Sequence, residues 1–236
     1  MRLRKRLISV AVIAMLGLPT IGAQASLLLI APEDFSGTGL GAVNTILTMQ
    51  SPASTSFESA SVGLDGSGTE VITGDALTGA SQTQVRSIST LGLTSAANLR
   101  VVFNGIEPGN PAEDSISVDD LVLNIYSPTG TVLFSSGVFV PILFPDTFQG
   151  AGNSGFVFGL DPLQAAAAQA SAFTGIGFGN NLIGISATAS FATGGPETIF
   201  VANTAVPIPE SETYLMMLAG LGLMSFIARR RKQITA

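Results

Sequence analysis

The chain has 236 residues, 46% of them apolar and only 11% charged, with no Cys, His or Trp and a formal net charge of −6. That composition excludes disulfide frameworks, thiol chemistry and Ser-His-Asp or Cys-His catalysis, and it leaves a typical zinc site without its preferred ligands. Between Ser26 and Thr213 only Arg86 and Arg100 are basic, while every Asp and Glu lies there. So acidic a body argues against nucleic acid as a partner. Divalent cations or a cationic polymer suit it better, although acidity also simply keeps an apolar, Ser/Thr-rich domain in solution.

Residues 1–25 read as a signal peptide. "MRLRKR" is the basic n-region, "LISVAVIAMLGL" the apolar h-region, and Pro19 breaks the helix before a small-residue site. Ala23-Gln24-Ala25 has the A-x-A form, which places signal peptidase cleavage between Ala25 and Ser26. Ala25 is not followed by Cys, so a lipoprotein is excluded.

The body, 26–203, is long enough for one domain with a sizeable core. It reads as all-β, a β-sandwich or jelly-roll-like domain with one short helix. The segments "STSFESASVGL", "NLRVVFNGI", "NNLIGISATASFA" and "ETIFVAN" have strand texture and are separated by Gly, Asn, Pro and Ser. The clearest piece is a hairpin. Leu121, Leu123 and Ile125 alternate with Val122, Asn124 and Tyr126, Ser127-Pro128-Thr129-Gly130 has turn chemistry, and Thr131 to Phe134 returns. In "GLDPLQAAAAQASAF", Asp161 suits the N-cap and Pro162 the first helical position, and Gly175 can stop the helix. The alanine-rich face of that helix can lie close against a sheet.

The densest acidic cluster is Glu113, Asp114, Asp119 and Asp120, at the entry to the hairpin. Calcium takes several oxygen ligands, but Asp119 and Asp120 are adjacent and on a regular strand point to opposite faces. A solvated strand end is the better account. Arg86 and Arg100 are expected to pair with this acidic surface. The glycine patterns Gly37–Gly41 and Gly175–Gly179 read as turns. With no Lys in the body there is no Walker A loop, Schiff base or Ser-Lys dyad. A glycosidase needs two carboxylates across a sugar, and sugar sites favour aromatic platforms. The body has only Tyr126 before the linker, so no catalytic residues, cofactor or metal ligands are assigned and the chain is read as a non-enzyme.

Residues 204–213 form a linker, and 214–236 a hydrophobic helix with an Arg-rich tail. From Thr213 to Ala228 a helix would span about 24 Å against a hydrocarbon core of about 30 Å. Arg229, Arg230 and Arg231 can snorkel toward headgroups and hold the tip on the cytoplasmic side. Val206-Pro207-Ile208-Pro209 keeps the chain extended just before the span.

This tail resembles the PEP-CTERM sorting signal of Gram-negative bacteria. Val206, Pro207, Pro209 and Glu210 match its Pro-Glu motif, and "MLAGLGLMSFIARRRK" matches its helix and basic end; Ser211 stands where the family usually has Pro. The resemblance covers about 30 residues and implies processing by an exosortase, with a link to exopolysaccharide, surface display and biofilm matrix. The expectation is an exported protein, held in the inner membrane by its tail before processing, with a structural or adhesive role. The alternatives are a calcium- or polysaccharide-binding module at the same location and, third, a carboxylate-dependent glycan hydrolase.

Overall fold

The computed structural model describes residues 26–31, 44–52, 55–79, 81–105, 107, 115–145 and 155–204. Signal peptide, sorting motif and anchor helix lie outside the described residues, as do Glu113 and Asp114. Among the described residues no helix is long and apolar enough to cross a membrane.

Two antiparallel sheets face each other across one apolar core. The first holds five strands, β1 (Leu28–Ala31), β10 (Gly155–Gly159), β6 (Leu99–Asn104), β12 (Glu197–Asn203) and β2 (Thr45–Met49), in that spatial order. The second runs β4 (Glu70–Gly74), β3 (Phe57–Leu64), β11 (Leu182–Ser190), β7 (Ile116–Tyr126), β8 (Val132–Ser135). Two short strands extend its rows: β5 (Arg86–Ser87) pairs with β11, and β9 (Ile142–Phe144) pairs with β7.

The inner faces follow from side-chain parity. Val101 and Phe103 of β6 and Ile199 and Val201 of β12 look across at Ala60 and Val62 of β3 and at Leu121, Leu123 and Ile125 of β7, all buried. Each such Leu, Ile or Phe contributes about 1.5–3 kcal/mol by leaving water. The outer face of the second sheet is hydroxylated. Ser61 meets Thr73 at 2.7 Å and Ser59 meets Thr188 at 3.2 Å across neighbouring strands.

The expected hairpin is present. Gly130, at φ 85, donates to the Ser127 carbonyl, and β7 pairs with β8. A Cβ on Gly130 would collide with the Asp65 carbonyl, and one on Gly68 would collide with the Pro128 carbonyl. The β3–β4 and β7–β8 turns therefore sit backbone against backbone, which only glycine allows at both places.

The helix α1 covers Pro162–Ala172, with Asp161 accepting from the Gln164 amide at 2.8 Å. Its inner stripe is Gln164, Ala168 and Ala172. Gln164 donates to the Ser136 carbonyl at 3.1 Å, and Gln169 accepts from the Ala96 amide at 3.0 Å, so the helix is pinned to β8 and to a 3-10 turn at Ala96–Asn98.

One expectation about the hairpin is corrected. Val118 and Leu121 are both fully buried, and the β7–β11 register slips between Thr188 and Ala189. Asp119 is the additional residue of a bulge. Asp119 and Asp120 therefore both turn away from the core rather than to opposite faces. Arg86 donates to the Thr45 carbonyl, and Arg100 to the carbonyls of Ala97 and Leu99, so both guanidiniums bind main chain.

Candidate functional site

Of the acidic cluster singled out from the sequence, only Asp119 and Asp120 are among the described residues. Asp119 accepts from the Ser117 hydroxyl at 2.6 Å, and both Asp119 and Asp120 are only half-buried. The carboxylates that the fold gathers are three others, Glu58, Glu107 and Glu197, with exposures of 1%, 2% and 0%.

Parity explains how they meet. Glu58 occupies the same face of β3 as Ala60 and Val62, and Glu197 the same face of β12 as Ile199 and Val201. Both side chains therefore enter the space between the sheets. Each stands at the first turn of its strand, at the end of the sandwich where β2, β6 and β11 finish. Glu107 arrives from the segment after β6.

Loop backbone holds two of them. The Ser51 amide donates to Oε1 of Glu58. The Thr193 amide and hydroxyl each donate to Oε2 of Glu107 at 2.9 Å. The turn before Thr193 includes Phe191 in the left-handed region at φ 63, a conformation that costs a non-glycine residue of order 1–3 kcal/mol.

Glu197 has no such support. With all three groups ionised, both its oxygens lack a donor, as do Oε2 of Glu58 and Oε1 of Glu107. Burial, then a hydrogen bond to Glu58 and the charges of Glu58 and Glu107, push the Glu197 carboxyl up to about 11. Glu107 is raised as well, first by burial, against the Thr193 hydrogen bonds that lower it, and further by the charge of Glu58. In the neutral range Glu197 thus carries a proton, which it can donate to Glu58.

Among the described residues, countercharge is remote. Arg86 pairs opposite Ile183 and Glu58 opposite Ala189 along β11, which at about 3.3 Å per residue separates them by about 20 Å. Arg100 lies at the other end of β6 from Asn104, the end near Glu107. As they stand, no three acidic side chains hold metal-coordination spacing among the described residues. The cluster is also sealed from solvent, so it cannot straddle a sugar as a glycosidase pair must.

A second feature lies on the hydroxylated face. A shallow depression of about 290 Å³ is lined by Ser61, Gly63, Val71, Asn124, Tyr126 and Ser186, among others. Tyr126 lies across Gly63 and Gly184, where a Cβ on either glycine would press against its ring or hydroxyl. The ring therefore covers two glycines and is itself only 9% exposed, which leaves little of it as a platform.

The chain matches no protein-family model, no curated protein and no solved structure. What can be said of its role rests on its own residues.

Sequence reasoning missed the buried cluster although a signal was there. In "FESASVGL" and "ETIFVAN" a Glu stands in register with the apolar residues of its strand rather than with the polar ones. What no single strand shows is that the two glutamates face each other.

Proposed function

We propose that this chain is an exported protein, sorted by an exosortase, whose β-sandwich has a structural or adhesive role at the cell surface or in the extracellular matrix. The observation that carries the reading is the order of parts along the chain. The first strand opens at Leu28, just after the Ala25–Ser26 site, and the last closes at Asn203, just before Val206 of the Pro-Glu motif. Both expected processing sites therefore flank the described strands, and a protease can bind such a flanking segment without unfolding the domain. The partners are signal peptidase, an exosortase and, before processing, the inner membrane. The sandwich acts as a non-enzymatic module, with exopolysaccharide the natural neighbour of such a protein.

The polysaccharide-binding alternative draws support from the Ser/Thr face and the depression beside Asn124 and Tyr126. Hydroxyls and an amide on a flat sheet offer hydrogen bonds to a chain of sugars.

Export is tested by the mature N-terminus. Mass spectrometry of protein released from the surface of intact cells is expected to find Ser26 as the first residue. Surface protein that retains Met1 and its following residues would overturn the reading.

A further inference from the structure

We infer that Glu58, Glu107 and Glu197 form a binding site for one hard divalent cation, with Ca²⁺ the ion best suited to it. Two loops bring main-chain donors to the site. Those donors fix one oxygen each of Glu58 and Glu107 and leave the other oxygen of each without a partner. Into this arrangement projects Glu197, fully buried, with neither oxygen partnered by any donor. With no ion bound, the proton on Glu197 can bridge it to Glu58, but Oε1 of Glu107 keeps no donor and both arginines of the body are bound to main-chain carbonyls elsewhere; a cation that displaces that proton is shared by all three carboxylates.

The donor set names the class of ion. All the ligands are hard oxygens, and neither nitrogen nor sulfur is available from His or Cys anywhere in the chain, which disfavours zinc. Mg²⁺ keeps several of its waters and demands near-octahedral geometry. Ca²⁺ accepts six to eight oxygens in irregular arrangements and takes carboxylates in one- or two-oxygen modes. The oxygens do not yet stand at coordination spacing. A Glu side chain turns about three torsions, so the carboxylates can converge on an ion while β3 and β12 stay in register.

The site joins the two sheets at one end of the sandwich. Glu58 belongs to one sheet and Glu197 to the other, so a bound ion clamps them and adds stability that depends on its concentration.

The test uses the full-length chain in detergent, stripped with EDTA, with thermal unfolding followed by far-ultraviolet circular dichroism at pH 7.5. CaCl₂ at about a hundredfold excess over its Kd is expected to raise Tm by about 5–10 °C, and equal MgCl₂ by much less. Calorimetric titration should give one Ca²⁺ per chain. Glu197→Gln is expected to fold in EDTA and to lose the Ca²⁺ response, and Glu107→Gln to weaken binding at least tenfold. Asp120→Asn, on the outer face, should respond like the wild type. A wild-type Tm that ignores Ca²⁺, or a response that survives in both Glu197→Gln and Glu107→Gln, would overturn the assignment.

Discussion

At the scale of single residues, the most informative groups are those whose polarity contradicts their surroundings. Glu197 pairs with Met49 across the β12–β2 ladder and shares the inner face of β12 with Ile199, close to the buried Glu58. A carboxyl whose folded pKa lies above its ordinary value holds its proton more tightly when folded. Its contribution to stability is therefore full below pH 4.5 and is lost as pH rises toward about 11. In EDTA the wild type is expected to lose stability between pH 5 and pH 9, by up to about 1.4 kcal/mol per pH unit for each proton involved. Glu197→Gln should flatten that slope. Urea unfolding at several pH values measures both, and a wild-type stability that rises with pH would contradict the burial of this group. Gly130 shows the opposite kind of constraint, since its φ of 85 and its contact with the Asp65 carbonyl leave no room for a Cβ. Gly130→Ala is expected to cost about 1–3 kcal/mol in urea unfolding. A loss below about 0.5 kcal/mol would show that the two turns are not locked together.

At the scale of elements, legibility followed periodicity and turn chemistry. The hairpin around Ser127–Gly130 was readable because Leu121, Leu123 and Ile125 alternate cleanly and because Pro128 and Gly130 suit their turn positions. The helix was readable from Asp161 and Pro162 at its start. Asp161→Ala removes the acceptor for the Gln164 amide and is expected to cost about 0.5–2 kcal/mol by the same denaturation measurement. The strands β2 and β10 were missed. "TILTM" is buried at every position and "GFVFG" at nearly every one, so neither alternates, and both are too short to be told from a core helix segment. The bulge at Asp119 was also invisible, because an added residue on one strand shows only against the register of its partner. The candidate site depends on pairing of the same long-range kind. Glu58 and Glu107 are separated by β4, β5 and β6, and Glu197 lies beyond five further described strands and a helix.

At the scale of the whole molecule, the chain reads as a folded acidic body between two basic ends. The body was legible as a mostly β domain with a short helix, and among the described residues the structure shows two antiparallel sheets and one α-helix. The ends are read as addresses from n-region, h-region and A-x-A, or Pro-Glu motif, helix and arginines, which are local patterns that need no tertiary contacts. Those segments lie outside the described residues, so their role is a matter for processing experiments. A permanent anchor needs only hydrophobicity and flanking positive charge, and is indifferent to Glu210. A sorting protease must read groups in the extended segment, and a carboxylate beside Pro209 is a distinctive one. The most direct measurement is an immunoblot of a tag inserted near Thr204, in cells with and without the exosortase, for wild type and Glu210→Ala. Wild type is expected to lose its C-terminal helix only where the enzyme is present, and Glu210→Ala to accumulate at full length in the membrane of both strains. A wild-type protein of unchanged size in both strains, matched by Glu210→Ala, would show that the tail is an anchor and not a sorting signal.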